Sequence, residues 1–169
     1  MRLSSLQEPW ETLYGTPGSK LLDFVPVGGV VILEFDRRVL HFFVGEARSK
    51  AEWHKKLGVL ERLLVLAGVD EVLFASPCRA ASTKVTNPGG LQFSDAVVLM
   101  WLDIDGNCRL CVVARDGPIA DGVPKDLFCS PFRAFGHPRR EVIERERTAY
   151  RLTAESHLRR LIEGLANGS

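Results

Sequence analysis

Residues 42 to 56 read FFVGEARSKAEWHKK, and Glu46, Arg48 and Lys50 within them form a Glu-x-Arg-x-Lys at the seam between an apolar strand and a helix. Alternate residues of a strand point to one face, about 6 to 7 Å apart. A carboxylate followed at that spacing by a cation can hold a divalent metal ion while meeting the charge of a phosphodiester. The plain alternative is the polar end of a strand, where an exposed ion pair between Glu46 and Arg48 contributes below about 1 kcal/mol.

Three other groupings carry chemical possibilities. Cys108 and Cys111 form a Cys-x-x-Cys, with Cys78 and Cys129 elsewhere, which invites a zinc reading. CRLCVVA alternates as a strand, however, so these two thiols are expected on opposite faces and in packing roles. The stretch from Ser76 to Gly90 holds Arg79, Lys84, Ser82, Thr83 and two glycines, residue types that cradle phosphate, without the spacing of a P-loop. With Lys50, Lys55 and Lys56 it supplies the cations that a DNA or RNA backbone would meet, since each phosphate contact releases counterions. Near the C-terminus seven arginines from Arg139 to Arg160 are interleaved with Glu141, Glu144, Glu146 and Glu155. Glu141 with Arg145 and Glu155 with Arg159 stand four apart in the favourable order, the pattern of a self-paired helix face.

The elements that must position these groups are legible in part. Residues 5 to 14 suit a short helix, with Pro9 in its first turn and Gly15 as a stop. VVILEF and VLHFFVG read as a hairpin with Asp36, Arg37 and Arg38 in its turn. A turn centred near Arg37 makes paired numbers sum to about 74, which sets Glu46 opposite the neighbourhood of Gly28. The helix that follows is sharply marked. Ser49 and Glu52 form a capping box, Trp53, Leu57, Leu60, Leu64 and Ala67 make one apolar stripe, and Gly68 suits a left-handed stop. VDEVLFAS reads as a buried strand. A second hairpin, DAVVLMWLDI with CRLCVVA, spans residues 93 to 115 around Asp105 and Gly106. DGPIADGVPKDLFCSPF is turn-rich, and 138 to 166 read as helix in two pieces meeting near Thr153. The expected fold is α+β: one domain, 1 to 169, with a mixed sheet of about five strands flanked by helices and a helical C-terminus.

Helix, hairpin, helix and strand, with an acidic residue closing the second strand, resembles the core of the PD-(D/E)XK, or restriction-endonuclease-like, superfamily over residues 5 to 76. The resemblance implies that Glu46 holds Mg²⁺ together with an aspartate from the neighbouring strand. A lysine two residues on would position the attacking water, and here that place is taken by Arg48, which stays protonated and cannot act as a base. Lys50 is the substitute cation. Asp36 lies at the hairpin turn, about 23 Å from Glu46 along the strands, so Asp23 is the candidate second metal ligand, brought back by a bend at Pro26 to Gly29. Glu11 would assist. The implied function is a nuclease-like domain that binds or processes nucleic acid, with an incomplete metal site. The same element order also suits a longin-like or profilin-like scaffold, a non-catalytic module presenting a sheet edge or helix to a protein partner or a second copy. Phe128, Phe132 and Phe135 are candidate contact aromatics for it.

With 22 basic and 21 acidic residues among 169, the formal charge is +1, so charge alone announces neither a nucleic-acid nor a membrane partner. No run nears the roughly 20 apolar residues of a bilayer span. The N-terminal residues lack the pattern of a signal peptide, so a cytoplasmic chain is expected, in which four cysteines would stay reduced.

Overall fold

The computed structural model describes residues 5–81, 93–103, 107–122 and 139–167. Two short helices come first, α1 (Gln7–Gly15) and α2 (Gly18–Phe24), followed by the hairpin β1 (Val30–Phe35) and β2 (Arg38–Phe43). Helix α3 (Lys50–Ala67) leads to four further strands: β3 (Glu71–Ala81), β4 (Phe93–Asp103), β5 (Cys108–Ala114) and β6 (Gly117–Gly122). Helix α4 (Arg139–Asn167) closes the chain. The strands form one sheet in the order β2-β1-β3-β4-β5-β6, and every ladder is antiparallel.

Period-two alternation sorts the strand residues to two faces. Val30, Ile32, Leu73, Ala75, Val97, Leu99, Cys111 and Val113 meet Trp10, Leu13, Leu21 and Val25 of the α1/α2 layer. Val31, Leu33, Phe42, Val72, Phe74, Met100 and Leu102 meet α3 through Leu57 and Leu64, and α4 through Ala154 and Leu158. The expected α+β class, with helices flanking the sheet and a helical C-terminus, is the observed one. A three-layer arrangement explains why β3 and β4 read as near-continuous apolar runs: both of their faces are covered.

Several elements differ from the sequence expectation. The sheet has six strands and no parallel neighbours, where a mixed sheet of about five was expected; β6 forms in the stretch that reads as turns, because a tight turn at Arg115 and Asp116 pairs Ala114 with Gly117. Helix α2 follows Pro17 in a Gly/Pro-rich segment that signals a loop. It is placed by close approach, since a Cβ on Gly18 would stand 1.8 Å from the carbonyl oxygen of Ala114. Helix α4 is one piece of 29 residues; Thr153 lies exposed within it, and the packing of Ala154 and Leu158 overrides the cap signal.

The hairpin register is also displaced by one. Pairs such as Phe35 with Arg38 and Val30 with Phe43 sum to 73, because the turn has two residues rather than three. Asp36 and Arg37 both take positive φ, 52° and 62°, the requirement of the type I′ turn that matches strand twist. Beta-3 runs on through Pro77 to Ala81, beyond the expected strand. There the backbone N–H that proline lacks would point toward β1, which begins only at Val30, opposite Ala75, so no ladder bond is lost.

Candidate functional site

Glu46, Arg48, Lys50, Lys55 and Lys56 fall where β2 ends and α3 starts, beside the beginning of β1. After α2 the chain reverses through Gly28 and Gly29, both at positive φ, 88° and 94°. A Cβ on Gly28 would lie 2.1 Å from the carbonyl oxygen of Gly45, so glycine alone permits this turn to touch the end of β2. The hairpin is extended by one more bond, in which the Val44 N–H donates to the Gly29 carbonyl at 3.0 Å. Helix α3 is tied to the same turn by the Trp53 indole, whose Nε1 donates to the Gly28 carbonyl at 2.8 Å. The Trp53 ring also packs toward Phe74, with centroids 6.1 Å apart.

The capping box forms as expected, with one shift. Ser49 Oγ accepts from the Glu52 N–H at 3.1 Å, while Glu52 Oε2 accepts from the N–H of Arg48, the residue before the cap, at 2.9 Å. Lys56 Nζ donates to the backbone carbonyl of Glu46 at 2.6 Å, which braces the loop from the second turn of the helix. Between these parts lies an open cleft of about 300 Å³ lined by Gly28, Ala47, Ser49, Lys50, Trp53 and Ser76 among others. Ser76 is buried to 5% exposure, and its hydroxyl donates only a long bond, 3.3 Å, to the Pro77 carbonyl. Ser49, Lys50 and Ser76 are the hydroxyl and ammonium side chains in that lining.

Glu46 and Arg48 sit exposed in the loop Val44–Ser49, and Lys50, Lys55 and Lys56 lie exposed on the first two turns of α3. Asp23 is exposed on α2, which belongs to the opposite layer and packs on β4 and β5. Glu11 is exposed on α1, where it accepts from Gln7 Nε2 at 2.9 Å. Continuing the hairpin register sets Glu46 across from Val27, so β1 brings no carboxylate to it. Among the described residues no group of three or more His, Cys, Asp or Glu side chains is arranged to hold a metal ion. Among the described residues, Glu46 in the loop after β2 and Asp23 on α2 are the two carboxylates offered for Mg²⁺, and they stand on different elements. Arg79 lies on β3 directly across from Asp95, a cross-strand position that offsets its charge. Lys84, Cys129, Phe128, Phe132 and Phe135 lie outside the described residues.

Cys108 and Cys111 fall on opposite faces of β5, one in each core layer, so they cannot share a zinc ion. Burial pushes the thiols of Cys78 and Cys108 up, with a backbone hydrogen bond at Val98 opposing the shift at Cys78. Both stay protonated and are poor nucleophiles at neutral pH.

A second feature of this end was not anticipated. Beta-2 is an edge strand, and on the α1/α2 side its residues Val39, His41 and Phe43 are exposed, Val39 at 43% and Phe43 at 64%. The helices of that layer pack mainly over β4 and β5, with β1 and β3 standing between those strands and β2. Phe24 and Val27, at 68% and 67%, are exposed on the segment leading into β1. The sequence does carry a trace of this, because VLHFFVG is apolar at consecutive positions and lacks the alternation of a half-buried strand. Comparison with protein-family models, with curated proteins and with solved structures returns no match.

Proposed function

We propose that the protein is a non-catalytic interaction module that presents the open edge and bare face of β2 to a protein partner. The observation that carries this reading is the exposure of Val39 and Phe43 on an edge strand. Protected edges are normally blunted by proline, a bulge or an inward charge. Beta-2 has no proline and an unbroken register, and extended partners add to such edges through main-chain bonds with side-chain pockets giving specificity. The two core layers packed on opposite faces of the sheet suit a rigid scaffold for that edge. A cytoplasmic location belongs to the same proposal; it is supported by three described cysteines that are all free thiols. Among the described residues no helix is long and apolar enough to cross a membrane.

Amide hydrogen exchange in dilute protein tests the reading. An open edge leaves the amides of Val39, His41 and Phe43 exchanging fast while those of Leu40 and Phe42 are protected by β1. Protection of all five in the monomer would refute it.

A nuclease-like, nucleic-acid-binding role is the second reading, favoured by the collection of Arg48, Lys50, Lys55 and Lys56 beside the cleft at the start of α3. Phosphates of DNA or RNA would meet these cations; of the other two candidate cations, Arg79 is on β3 and Lys84 lies outside the described residues. Cleavage would in addition need Mg²⁺ held by Glu46 and Asp23, with Arg48 and Lys50 at the phosphate, and Asp23 stands on α2 in the opposite layer. Salt-sensitive retention of a nucleic-acid ladder, lost in a K50E/K55E/K56E variant, supports this role. Retention that ignores those changes sinks it.

A further inference from the structure

We infer that the partner seated on β2 is a second copy of this chain, joined edge to edge so that the two sheets become one. The inference rests on the interaction reading above and specifies its occupant. It follows from which backbone groups of β2 are already used. The Val44 N–H bonds to the Gly29 carbonyl, and that pair continues the hairpin register, whose numbers sum to 73. Alternation along an antiparallel ladder then directs the N–H and C=O groups of Arg38, Leu40 and Phe42 toward β1. Those of Val39, His41 and Phe43 point away from the sheet.

Outward groups must meet outward groups, so only certain registers of two antiparallel β2 strands can bond. Centring the twofold axis on His41 pairs His41 with the partner copy's equivalent and sets Val39 opposite Phe43 twice over. Three closely bonded pairs form, with six hydrogen bonds. Moving the axis to Leu40 leaves two such pairs and pushes Phe43 against the turn. The favoured register is also the one that matches side chains. On the bare face each Val39 lies against a Phe43 ring, an apolar pair that a β ladder rewards. On the other face Leu40 lies against Phe42, which continues the α3/α4 core across the axis. Arg38 falls opposite Val44, so the arginines of the two copies are not opposed.

Area sets the expected strength. Six residues span about 20 Å, and Phe43, at 64% exposure, leaves roughly 100–160 Å² of its surface open. Counted on both copies, the strand edges and their projecting side chains bury on the order of 800–1,200 Å², the low end for specific interfaces. A reversible dimer is expected rather than an obligate one, since each subunit already has both core layers. The isologous symmetry closes the assembly at two through this edge.

Sedimentation velocity at pH 7.5, from about 2 to 200 µM protein, tests the inference together with hydrogen exchange over the same range. The expected mass rises with concentration from 18.8 kDa to twice that, while exchange at Val39, His41 and Phe43 slows at least tenfold. His41→Pro deletes two central bonds and is tolerated in the monomer because that N–H points outward. Phe43→Asp sets a carboxylate against Val39 without entering the core. Both are expected to sediment as monomers throughout, with unchanged unfolding midpoints in dilute protein. A wild type that stays at 18.8 kDa with fast exchange at the three amides overturns the second copy and leaves the open edge standing. A monomer in which those amides are slow overturns both. Dimerisation unaffected by either substitution overturns the proposed register and the edge.

Discussion

Gly28 and Gly45 offer a paired test of how the β1/β2 end is held. Both have positive φ, 88° and 80°, but a Cβ on Gly28 would stand 2.1 Å from the Gly45 carbonyl oxygen, whereas one on Gly45 would meet nothing within 4 Å. Replacing either by alanine costs the left-handed conformation about 1–2 kcal/mol. Gly28→Ala adds a backbone clash that no side chain can swing away from, worth about 1–3 kcal/mol more by analogy with overpacked sites. Relief requires the turn to part from β2, which strains the Val44-to-Gly29 bond and the Trp53 anchor to the Gly28 carbonyl. Urea unfolding followed by tryptophan fluorescence measures the two costs. With a slope of about 2 kcal/mol per molar urea, the midpoint of Gly45→Ala falls by roughly 0.5–1 M and that of Gly28→Ala by roughly 1–2.5 M. Equal midpoints for the two variants would show that the close approach does not carry the geometry of this end.

Three further outcomes can be checked. Ser49→Ala removes the acceptor for the Glu52 N–H and is expected to lower stability by about 1 kcal/mol, read as a fall in the urea midpoint; no fall would mean that water replaces the cap. Leu158→Ala, at a fully buried site where α4 meets the sheet, is expected to cost about 2–5 kcal/mol, and a calorimetric midpoint within 2 °C of wild type would refute the packing of α4. The buried thiols give a pH dependence with a definite sign. Cys78 and Cys108 hold their protons in the folded state above the ordinary thiol range, so the folded form binds more protons than the unfolded one. Stability is complete below about pH 8.5 and declines as pH rises beyond it. A C78S/C108S variant should lose this part of the decline.

The parts that the sequence made legible are those governed by local chemistry. Ser49 and Glu52 marked the start of α3 and Gly68 its end; Gly68 does take a left-handed φ of 88°, and its N–H bonds back to Leu64 and Val65. The separation of Cys108 from Cys111 followed from strand alternation alone. What could not be read depended on contacts distant in sequence. Helix α2 exists because Gly18 lies against Ala114, and α4 is continuous because Ala154 and Leu158 have a sheet to bury against. The register slipped because two non-glycine residues adopt positive φ at the hairpin turn. The site suffered in the same way. Lys50 does line a cleft and Lys56 bonds to the Glu46 carbonyl, but the Trp53-to-Gly28 bond and the burial of Ser76 are tertiary facts. The bare face of β2 is visible only once the helices are known to lie over β4 and β5.

Arg159 of α4 pairs with Asp36 at the β1/β2 turn and stacks over the Phe35 ring at 5.2 Å. The partners are 123 residues apart, so during synthesis at about 5–20 residues per second the hairpin tip waits roughly 6 to 25 s for its cover. Once made, Leu33, Phe42 and Phe74 lack the Ala154 and Leu158 layer that completes their core until α4 follows. The nascent chain therefore passes through a stage with an uncovered sheet face as well as an open edge, and that stage is where a chaperone or a misassembled neighbour would find it.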